Sequence, residues 1–320
     1  MSSPIAIGIH GGCGTLDAAL LSDSEWAQMR EQLANALKAG WDALAAGAHA
    51  VDAVEAAIVV MEDSPHFNAG YGAALTEAAD HELDASIMSG DTLAAGAVCA
   101  VRRIRNPVRA ARAVMEQSSC VLMTGEGADA FAARAGLAMV ENGYFTTERR
   151  TAALASLKKR RAAGTIAMAS EAERHGTVGA VALDATGNLA AATSTGGFNN
   201  KPLGRVGDSA VIGAGTYARN GVCAVSCTGQ GELFIRHAAA YDIAARIQYA
   251  GQTLAQATDA IVHETMTAHR IGAGLVAIDG AGRVVAPFNT IGMCRGWITP
   301  AGEMAVATHQ EVHHLGSLPR

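Results

Sequence analysis

Short strands with almost no charged residues follow one another directly in this chain, with no helix between them. The runs ELDASIM and AAGAVCAV are separated only by residues 89–93, and two further runs flank residues 185–187. This is not the order of a dinucleotide-binding fold, in which helices alternate with strands. The pattern favours sheets packed on each other with helices outside, which is an α+β layered sandwich.

Amphipathic helices are expected to supply the outer layers of this sandwich. Large apolar residues recur at spacings of three and four over residues 26–44, and a similar pattern covers residues 51–61. Asn106-Pro107 predicts the start of another helix. Two more helices are expected at about 230–249 and 253–269. The chain is therefore predicted to consist of two strand-and-helix halves.

Composition limits the class of protein. The 320 residues are 50% hydrophobic but only 4% aromatic, so aliphatic residues and methionine must fill a sizeable core. A net charge of −6 argues against a nucleic-acid partner. With no signal-like start and no apolar run near about 18 residues, a cytoplasmic protein without a membrane partner is expected. The six cysteines contain no CxxC pair and are expected to be buried hydrophobic residues rather than zinc ligands.

The composition of the sequence changes over about 143–176. Large apolar residues are few there, no helical or strand period is clear, and basic residues are concentrated. We interpret this stretch as a mobile linker between the two halves. Its basic residues are Arg149, Arg150, Lys158, Lys159, Arg160, Arg161 and Arg174.

Several familiar motifs are incomplete in this chain. HETMTAH has Thr267 where a zinc-protease helix carries its second histidine. His309 and His313 have the spacing of a helical metal site but lie in a polar C-terminal stretch. GEGADA, Gly125–Ala130, fits a dinucleotide-binding turn that opens a helix. A nucleotide-binding module that uses this turn is therefore an alternative from a different functional class.

The runs around residues 185–187 predict a β-hairpin with a defined register. A three-residue loop that ends in glycine is a common hairpin connection. Pairing Asp184 with Asn188 places Thr177 directly opposite Thr195, with Cβ atoms about 4.5–5.5 Å apart. A threonine pair can simply stabilise a sheet, so this register alone leaves the function of Thr177 open.

The peptide bond before Thr177 has the chemistry of a self-cleavage site. Attack of the Thr177 hydroxyl on the Gly176 carbonyl would convert the amide into an ester, which water then hydrolyses. The new Thr177 α-amine has a reference pKa of about 8 and can act as a general base for its own hydroxyl. A glycine before the bond tolerates the strained backbone that such a step needs.

Ordered motifs along the chain resemble the plant-type L-asparaginases, also called isoaspartyl peptidases, of the N-terminal nucleophile hydrolases. The resemblance runs from the HGG at residue 10 to about residue 300. It implies a single domain over 1–320 with a four-layer αββα sandwich, the Ntn-hydrolase fold. Glycosylasparaginases are the nearest alternative, but they resemble secreted or lysosomal proteins. The matching motifs are HGTVGAVALD, AATSTGG, RVGDS, TGQGE, FNAGYG and LDASIM.

The resemblance also implies roles for individual residues. The chain would cleave itself between Gly176 and Thr177 into an α subunit, 1–176, and a β subunit, 177–320. Thr177 would be the nucleophile, in contact with Thr195. The Thr228 hydroxyl and the Gly229 N–H would form an oxyanion hole, and Asn68 would hold the nucleophile region.

Further implied residues bind the substrate, which would be L-asparagine or a β-aspartyl dipeptide. Arg205 would bind its α-carboxylate, while Asp208 and the Gly231 carbonyl would bind its α-amine; a mutual Arg205–Asp208 ion pair is the alternative. Relatives commonly have an acidic residue and a tyrosine where this chain has Ile291 and Cys294.

The resemblance implies no catalytic cofactor. It implies an (αβ)₂ heterotetramer and a structural sodium ion held by backbone carbonyls. The implied sodium ligands are Met61, Glu62, Ser64, Phe67, Ala69 and Tyr71.

Overall fold

The computed structural model describes residues 4–14, 16, 21–163 and 176–319. The helices are α1 (Asp23–Ala45), α2 (Ala50–Glu62), α3 (Pro107–Gln117), α4 (Gly125–Arg134), α5 (Glu148–Ala162), α6 (Gly231–His237), α7 (Ala239–Ala250) and α8 (Leu254–Asp259), which continues as a π-helix over Ala260–Met266. The strands are β1 (Ala6–Gly14), β2 (Leu83–Ser89), β3 (Ala95–Val101), β4 (Leu122–Thr124), β5 (Val178–Leu183), β6 (Leu189–Thr195), β7 (Thr216–Arg219), β8 (Cys223–Gly229), β9 (Ala273–Ile278), β10 (Val284–Val285), β11 (Gly292–Ile298), β12 (Glu303–Ala307) and β13 (Val312–Ser317).

The strands form two sheets. The larger has nine strands in the order β13-β12-β11-β1-β5-β6-β2-β3-β4, and the smaller has four in the order β10-β9-β8-β7. Neighbouring strands are antiparallel except β3 and β4, which are parallel. The β5–β6 hairpin lies inside the larger sheet, between β1 and β2, and the nucleophile region is therefore held on both sides.

Two apolar cores divide the molecule into layers. In one core, Ile7 and Ile87 of the larger sheet pack with Leu33 and Ile58 of α1 and α2. The second core joins the other face of the larger sheet to the smaller sheet and to α7 and α8. Because side chains alternate between the faces of a strand, each sheet contributes to two interfaces. The result is the predicted α+β fold, a four-layer αββα sandwich.

Local sequence accounts for the long first helix. Ser22 and Glu25 form a capping box in which the Glu25 carboxylate accepts the Ser22 N–H at 2.8 Å and the Ser22 hydroxyl accepts the Glu25 N–H at 3.3 Å. The apolar positions then follow the helical period and face the sheet. The buried residues of α1 are Trp26, Met29, Leu33, Ala36, Leu37, Gly40, Trp41 and Leu44.

The hairpin has the register expected from its turn. Val178 pairs with Ser194, and Leu183 pairs with Leu189. Gly187 has a φ of 87°, the left-handed conformation that ends this type of loop. The same register, continued by one residue, places Thr177 opposite Thr195, so the predicted juxtaposition is confirmed.

The predicted linker over 143–176 is partly a helix. α5 covers Glu148–Ala162, capped by the Thr147 hydroxyl, which accepts the Arg150 N–H at 3.3 Å. Leu154 and Leu157 are buried on one side of it, a narrow apolar stripe that was too short to show a clear period. The expectation of an irregular segment was therefore wrong for α5, and residues 164–175 lie outside the described part.

The C-terminal stretch also differs from its sequence-based interpretation. The stretch expected to be a polar tail contains β13, which pairs with β12 at the edge of the larger sheet. His313 lies on β13, and the His309 ring contacts the Leu16 carbonyl at 2.7 Å, so the two do not share a helix face. Among the residues described, no helix combines the length and apolarity needed to cross a membrane.

Candidate active site

Thr177 lies at the entrance to β5, against the end of β6. Its side chain is buried, and its hydroxyl donates to the Thr195 hydroxyl oxygen at 3.2 Å. Thr195 Oγ1 also accepts the Gly197 N–H at 3.0 Å. The hairpin register thus becomes a direct contact between the two threonine hydroxyls.

The carbonyl of Gly176, immediately before Thr177, is held by Asn68. The Asn68 N–H donates to the Gly176 oxygen at 3.2 Å. A Cβ on Gly176 would lie 2.5 Å from the Asn68 Cβ, and a Cβ on Gly12 would lie 2.6 Å from the Gly176 Cα. Only glycine fits at both positions, and the donor on the carbonyl oxygen favours the negative charge that would develop there under attack.

The Asn68 side chain fixes the neighbouring loop. Its amide donates to the Gly197 carbonyl at 2.5 Å, and its carbonyl accepts the Ala74 N–H at 2.6 Å. The Asn68 backbone oxygen accepts the Gly196 N–H at 2.9 Å. Asn68 therefore joins the loop after α2 to the end of β6, as its predicted position in the nucleophile region requires.

His10 on β1 also contacts the nucleophile residue, and sequence reasoning missed it. Its Nδ1 lies 3.0 Å from the Thr177 carbonyl oxygen, and its Nε2 lies 3.0 Å from Ser226 Oγ. Burial lowers the pKa of His10 to about 3, so the imidazole is neutral. The HGG motif was the available signal, but its long-range partners are not visible in the sequence.

Thr228 and Gly229 end β8 beside this region. Ser226 and Thr228 are two residues apart on a strand, so their side chains face the same side, toward His10 and β1. The Cys13 thiol donates to the Thr228 carbonyl at 3.4 Å. Thr228 Oγ1 is buried and has no hydrogen-bond partner among the described residues. An unpartnered buried hydroxyl agrees with a donor that awaits a substrate oxygen.

Arg205 lies close to the loop that follows Thr195. A Cβ on Gly197 would be 3.4 Å from an Arg205 Nη1 atom. The guanidinium pairs with Glu232, with Nε to Oε1 at 3.0 Å, and stacks on Phe198 with 4.6 Å between Cζ and the ring centroid. Arg205 therefore has one exposed carboxylate partner and no ion pair with Asp208 in the described structure.

Asp208 is buried beside Gly231. Its Oδ2 has no hydrogen-bond partner within the described ranges. A Cβ on Gly231 would lie 2.8 Å from Asp208 Oδ1, so glycine is needed there. Desolvation raises the pKa of Asp208 to about 7, although the nearby Arg205 opposes the shift. A buried carboxylate that forms no ion pair with a protein cation is suited to binding a cationic ligand group.

The loop predicted to bind sodium has backbone carbonyl oxygens close to two of its glycines. A Cβ on Gly72 would lie 2.9 Å from both the Phe67 and Pro65 oxygens, and the Glu62 oxygen similarly blocks a Cβ on Gly70. Tyr71 N–H donates to the Glu62 oxygen at 2.7 Å. Crowded carbonyl oxygens are the ligands of a hard cation. In the described ranges no cluster of three His, Cys, Asp or Glu side chains forms a metal site.

The remaining sequence candidates lie away from these contacts or serve packing. A Cβ on Gly125 or Gly127 would meet nothing within 4 Å, so neither glycine makes the close approach typical of a dinucleotide turn. The Asp129 carboxylate of the same segment accepts the backbone N–H groups of Arg102 and Arg103, in the turn after β3. Ile291 is exposed, whereas Cys294 is buried with its thiol 3.1 Å from Met29 Sδ.

Comparisons with known proteins identify the family to which the chain belongs. The sequence profile of a family described as asparaginase matches residues 3–308. The isoaspartyl peptidase of Escherichia coli K12 is 50% identical over 294 residues, which are 91% of this chain and 92% of that protein. A probable isoaspartyl peptidase/L-asparaginase 2 of Arabidopsis thaliana is 39% identical over 326 residues, 94% of this chain and 98% of that protein. The chain belongs to the asparaginase family of N-terminal nucleophile hydrolases.

Proposed function

We propose that the protein is a self-cleaving threonine hydrolase that acts on L-asparagine and on β-aspartyl dipeptides. The observation that carries this proposal is the environment of one peptide bond. The Gly176 carbonyl accepts the Asn68 N–H at 3.2 Å, and the adjoining Thr177 hydroxyl contacts Thr195 at 3.2 Å. The relatives named above are isoaspartyl peptidases or L-asparaginases, which supports the substrate class.

Self-cleavage begins with attack of Thr177 Oγ1 on the Gly176 carbonyl carbon. The C–N bond breaks, the acyl group moves to oxygen as an ester, and the nitrogen takes a proton to become the Thr177 α-amine. Water then hydrolyses the ester, which returns the hydroxyl and leaves a Gly176 carboxylate. The Asn68 N–H stabilises the charge on the Gly176 oxygen during the first step.

Substrate hydrolysis repeats this chemistry at a side-chain amide. The Thr177 amine takes the hydroxyl proton while Oγ1 attacks the amide carbon. The proton passes to the leaving nitrogen, which departs as ammonia or as the amine of the second residue. Water cleaves the aspartyl ester and regenerates Thr177. The Thr228 hydroxyl and the Gly229 N–H would stabilise the oxyanion in both steps.

Recognition of the substrate backbone is assigned to Arg205 and Asp208. The guanidinium offers two parallel donors to an α-carboxylate. The substrate carboxylate would replace Glu232 as the partner of Arg205. The α-ammonium would supply the positive charge that buried Asp208 lacks, and the Gly231 carbonyl would accept from it. Together the two residues would select an aspartyl group whose α-amine and α-carboxylate are free and whose side chain carries the amide bond.

A structural sodium ion and an (αβ)₂ assembly complete the proposal. Carbonyl oxygens are suitable ligands for a hard cation, and the sodium ligands would be the backbone carbonyls of Met61, Glu62, Ser64, Phe67, Ala69 and Tyr71. The ion would hold the loop that carries Asn68 and would take no part in bond making. The assembly rests on family resemblance, and size measurement of the cleaved protein tests it.

A denaturing gel and a substrate panel test the central claim. Wild type should separate into fragments that correspond to 1–176 and 177–320, and Thr177→Ala should remain one full-length band. The cleaved protein should release ammonia from L-asparagine and leucine from β-aspartyl-leucine. An intact wild-type chain, or activity confined to glycosylated asparagine, would contradict the proposal.

A further inference from the structure

A chain of buried hydroxyl groups leads away from His10 through the middle of the molecule. Ser226 Oγ lies 2.6 Å from Thr193 Oγ1, Thr216 Oγ1 donates to Thr193 Oγ1 at 2.5 Å, and Ser86 Oγ lies 2.8 Å from Thr216 Oγ1. All five side chains, including that of His10, are fully buried. The chain is separate from the groups assigned above to nucleophile, oxyanion and substrate.

The members of this chain alternate between the two sheets. His10, Thr193 and Ser86 come from β1, β6 and β2 of the larger sheet, whereas Ser226 and Thr216 come from β8 and β7 of the smaller. Each hydrogen bond therefore crosses the interface between the sheets. Apolar residues would fill such an interface without the desolvation cost of hydroxyl groups, so this polar path requires its own explanation.

The direction of the hydrogen bonds fixes the tautomer of His10. The Thr177 carbonyl oxygen can only accept, so the Nδ1 that faces it carries the proton. Nε2 is then bare and accepts the Ser226 hydroxyl proton at 3.0 Å. Ser226 Oγ in turn accepts from Thr193, which accepts from Thr216. Every link from Thr216 to His10 therefore donates toward Thr177.

The two ends of the chain lie at different parts of the proposed site. One end is the Thr177 carbonyl, and the other is the Ser209 carbonyl, which accepts the Ser86 hydroxyl at 2.6 Å. Ser209 follows Asp208 directly. Gly179 makes room for the path, because a Cβ there would collide with both Ser226 Oγ and His10 Nε2.

We propose that His10 is a positioning residue for Thr177, and that the buried hydroxyl chain holds its imidazole with Nδ1–H directed at the Thr177 carbonyl. Self-cleavage removes the covalent link on the N-terminal side of Thr177, so its carbonyl bond to His10 becomes a main restraint on the new terminus. Without the Ser226 hydroxyl on Nε2, the ring would be free to turn and its Nδ1–H would hold the carbonyl less firmly. This inference rests on the proposed function of Thr177.

Two buried threonines provide a matched test. Thr193→Val removes a link of the chain, whereas Thr258→Val removes a buried hydroxyl that bonds only to carbonyls of its own helix. Thr193→Val, and more strongly Ser226→Ala, should lower kcat about fivefold to tenfold, the effect of one hydrogen bond worth ~1 kcal/mol. KM should stay within about twofold, since no substrate contact is removed. Thr193→Ser should restore kcat, and Thr258→Val should leave it unchanged.

Nitrogen NMR of the histidines reads the tautomer directly. In wild type the His10 Nδ1 should be protonated and its Nε2 bare, and Ser226→Ala should move the Nε2 resonance toward that of a bare nitrogen that accepts no hydrogen bond. Equal kcat losses in Thr193→Val and Thr258→Val, or an unchanged His10 Nε2 resonance in Ser226→Ala, would overturn the inference. An uncleaved or inactive wild type would instead overturn the proposed function, so the two failures are distinguishable.

Discussion

Single residues of the substrate site differ in how their charges are compensated. Arg205 keeps Glu232 as a partner, with 2.9 Å between a guanidinium nitrogen and Oε1. Asp208 lacks such a partner in the described structure, and burial raises the pKa of its carboxyl to about 7. A carboxyl with this pKa changes charge within the range of ordinary assays. Recognition of the substrate amine should therefore depend on pH.

We expect kcat/KM for β-aspartyl-leucine to fall as the pH drops through about 7. Above its pKa Asp208 is a carboxylate and attracts the ammonium; below it the neutral acid does not. Bound ammonium stabilises the carboxylate, so the effect should appear mainly in KM. Asp208→Asn should abolish this limb and lower kcat/KM about thirtyfold or more, as when a buried charge pair loses ~2 kcal/mol. Rate profiles measured on both proteins decide this, and an unchanged limb in Asp208→Asn would assign it to another group.

Gly176 should be needed for self-cleavage because of its contact with Asn68. In Gly176→Ala, the new Cβ would meet the Asn68 Cβ at 2.5 Å and push the scissile carbonyl from its N–H donor. Overpacking of about 1–3 kcal/mol predicts cleavage slowed by about tenfold or more in a gel time course. Gly127→Ala is the control, since nothing lies within 4 Å of its Cβ. Equal cleavage rates in the two variants would contradict this role.

The sequence predicted the contact between Thr177 and Thr195 but not the contacts between more distant segments. The hairpin loop fixes the Thr177–Thr195 contact because register is a local property of a short turn. The pairing of Arg205 with Glu232 and of His10 with Ser226 joins segments far apart in the chain. No periodicity encodes such contacts, since they depend on how the two sheets come together.

At the level of elements, the loop between α2 and β2 is expected to respond to sodium. A Cβ on Gly72 would lie 2.9 Å from the Phe67 carbonyl oxygen, one of the predicted sodium ligands, and a bound ion would stabilise the folded loop. The melting temperature should rise in NaCl relative to choline chloride at equal ionic strength. Gly72 has a φ of 101° and no space for a Cβ. The Gly72→Ala variant should therefore lose the sodium-specific rise in melting temperature. Equal melting temperatures in both salts would argue against the ion.

Helix α5 is expected to be held to the body through a few contacts. Leu154 and Leu157 are buried, and Lys158 Nζ donates to the Glu77 carbonyl at 2.8 Å. Replacing both leucines by alanine should detach the helix, since each buried leucine typically contributes about 2–5 kcal/mol. Trypsin should then cut faster at its basic residues, whereas Ser156→Ala should behave as wild type. An unchanged digestion rate would show that these leucines do not anchor α5.

The elements that sequence misassigned share a physical reason. α5 has only two buried leucines, so its amphipathic signal is weak, and β13 is an edge strand with mostly exposed side chains. Both are defined by what they pack against rather than by a strong period of their own. In contrast, α1 buries a full apolar stripe and was predicted from that stripe alone.

The whole molecule places the proposed subunits within one sheet. In the larger sheet, β1 of residues 1–176 lies between β11 and β5, which belong to residues 177–320. β1 makes antiparallel ladders on both sides, from Ile7–Ile298 to Gly14–Gly292 with β11 and from Ala6–Leu183 to His10–Gly179 with β5. Cleavage before Thr177 therefore severs the chain without removing any of these ladders.

Because β1 is enclosed in this way, the cleaved fragments should stay together until the protein unfolds. Gel filtration of the cleaved wild type without denaturant should give one peak that contains both fragments. After denaturation, β1 must find its neighbours as a separate molecule, so refolding of the cleaved protein should slow on dilution. Refolding of both proteins is followed by circular dichroism, and intact Thr177→Ala is the control because its folding step is intramolecular. Any association of copies would affect the cleaved wild type and the variant alike. Separation of the fragments under native conditions, or equal dilution effects in the two proteins, would mean that β1 is not the element that holds the halves together.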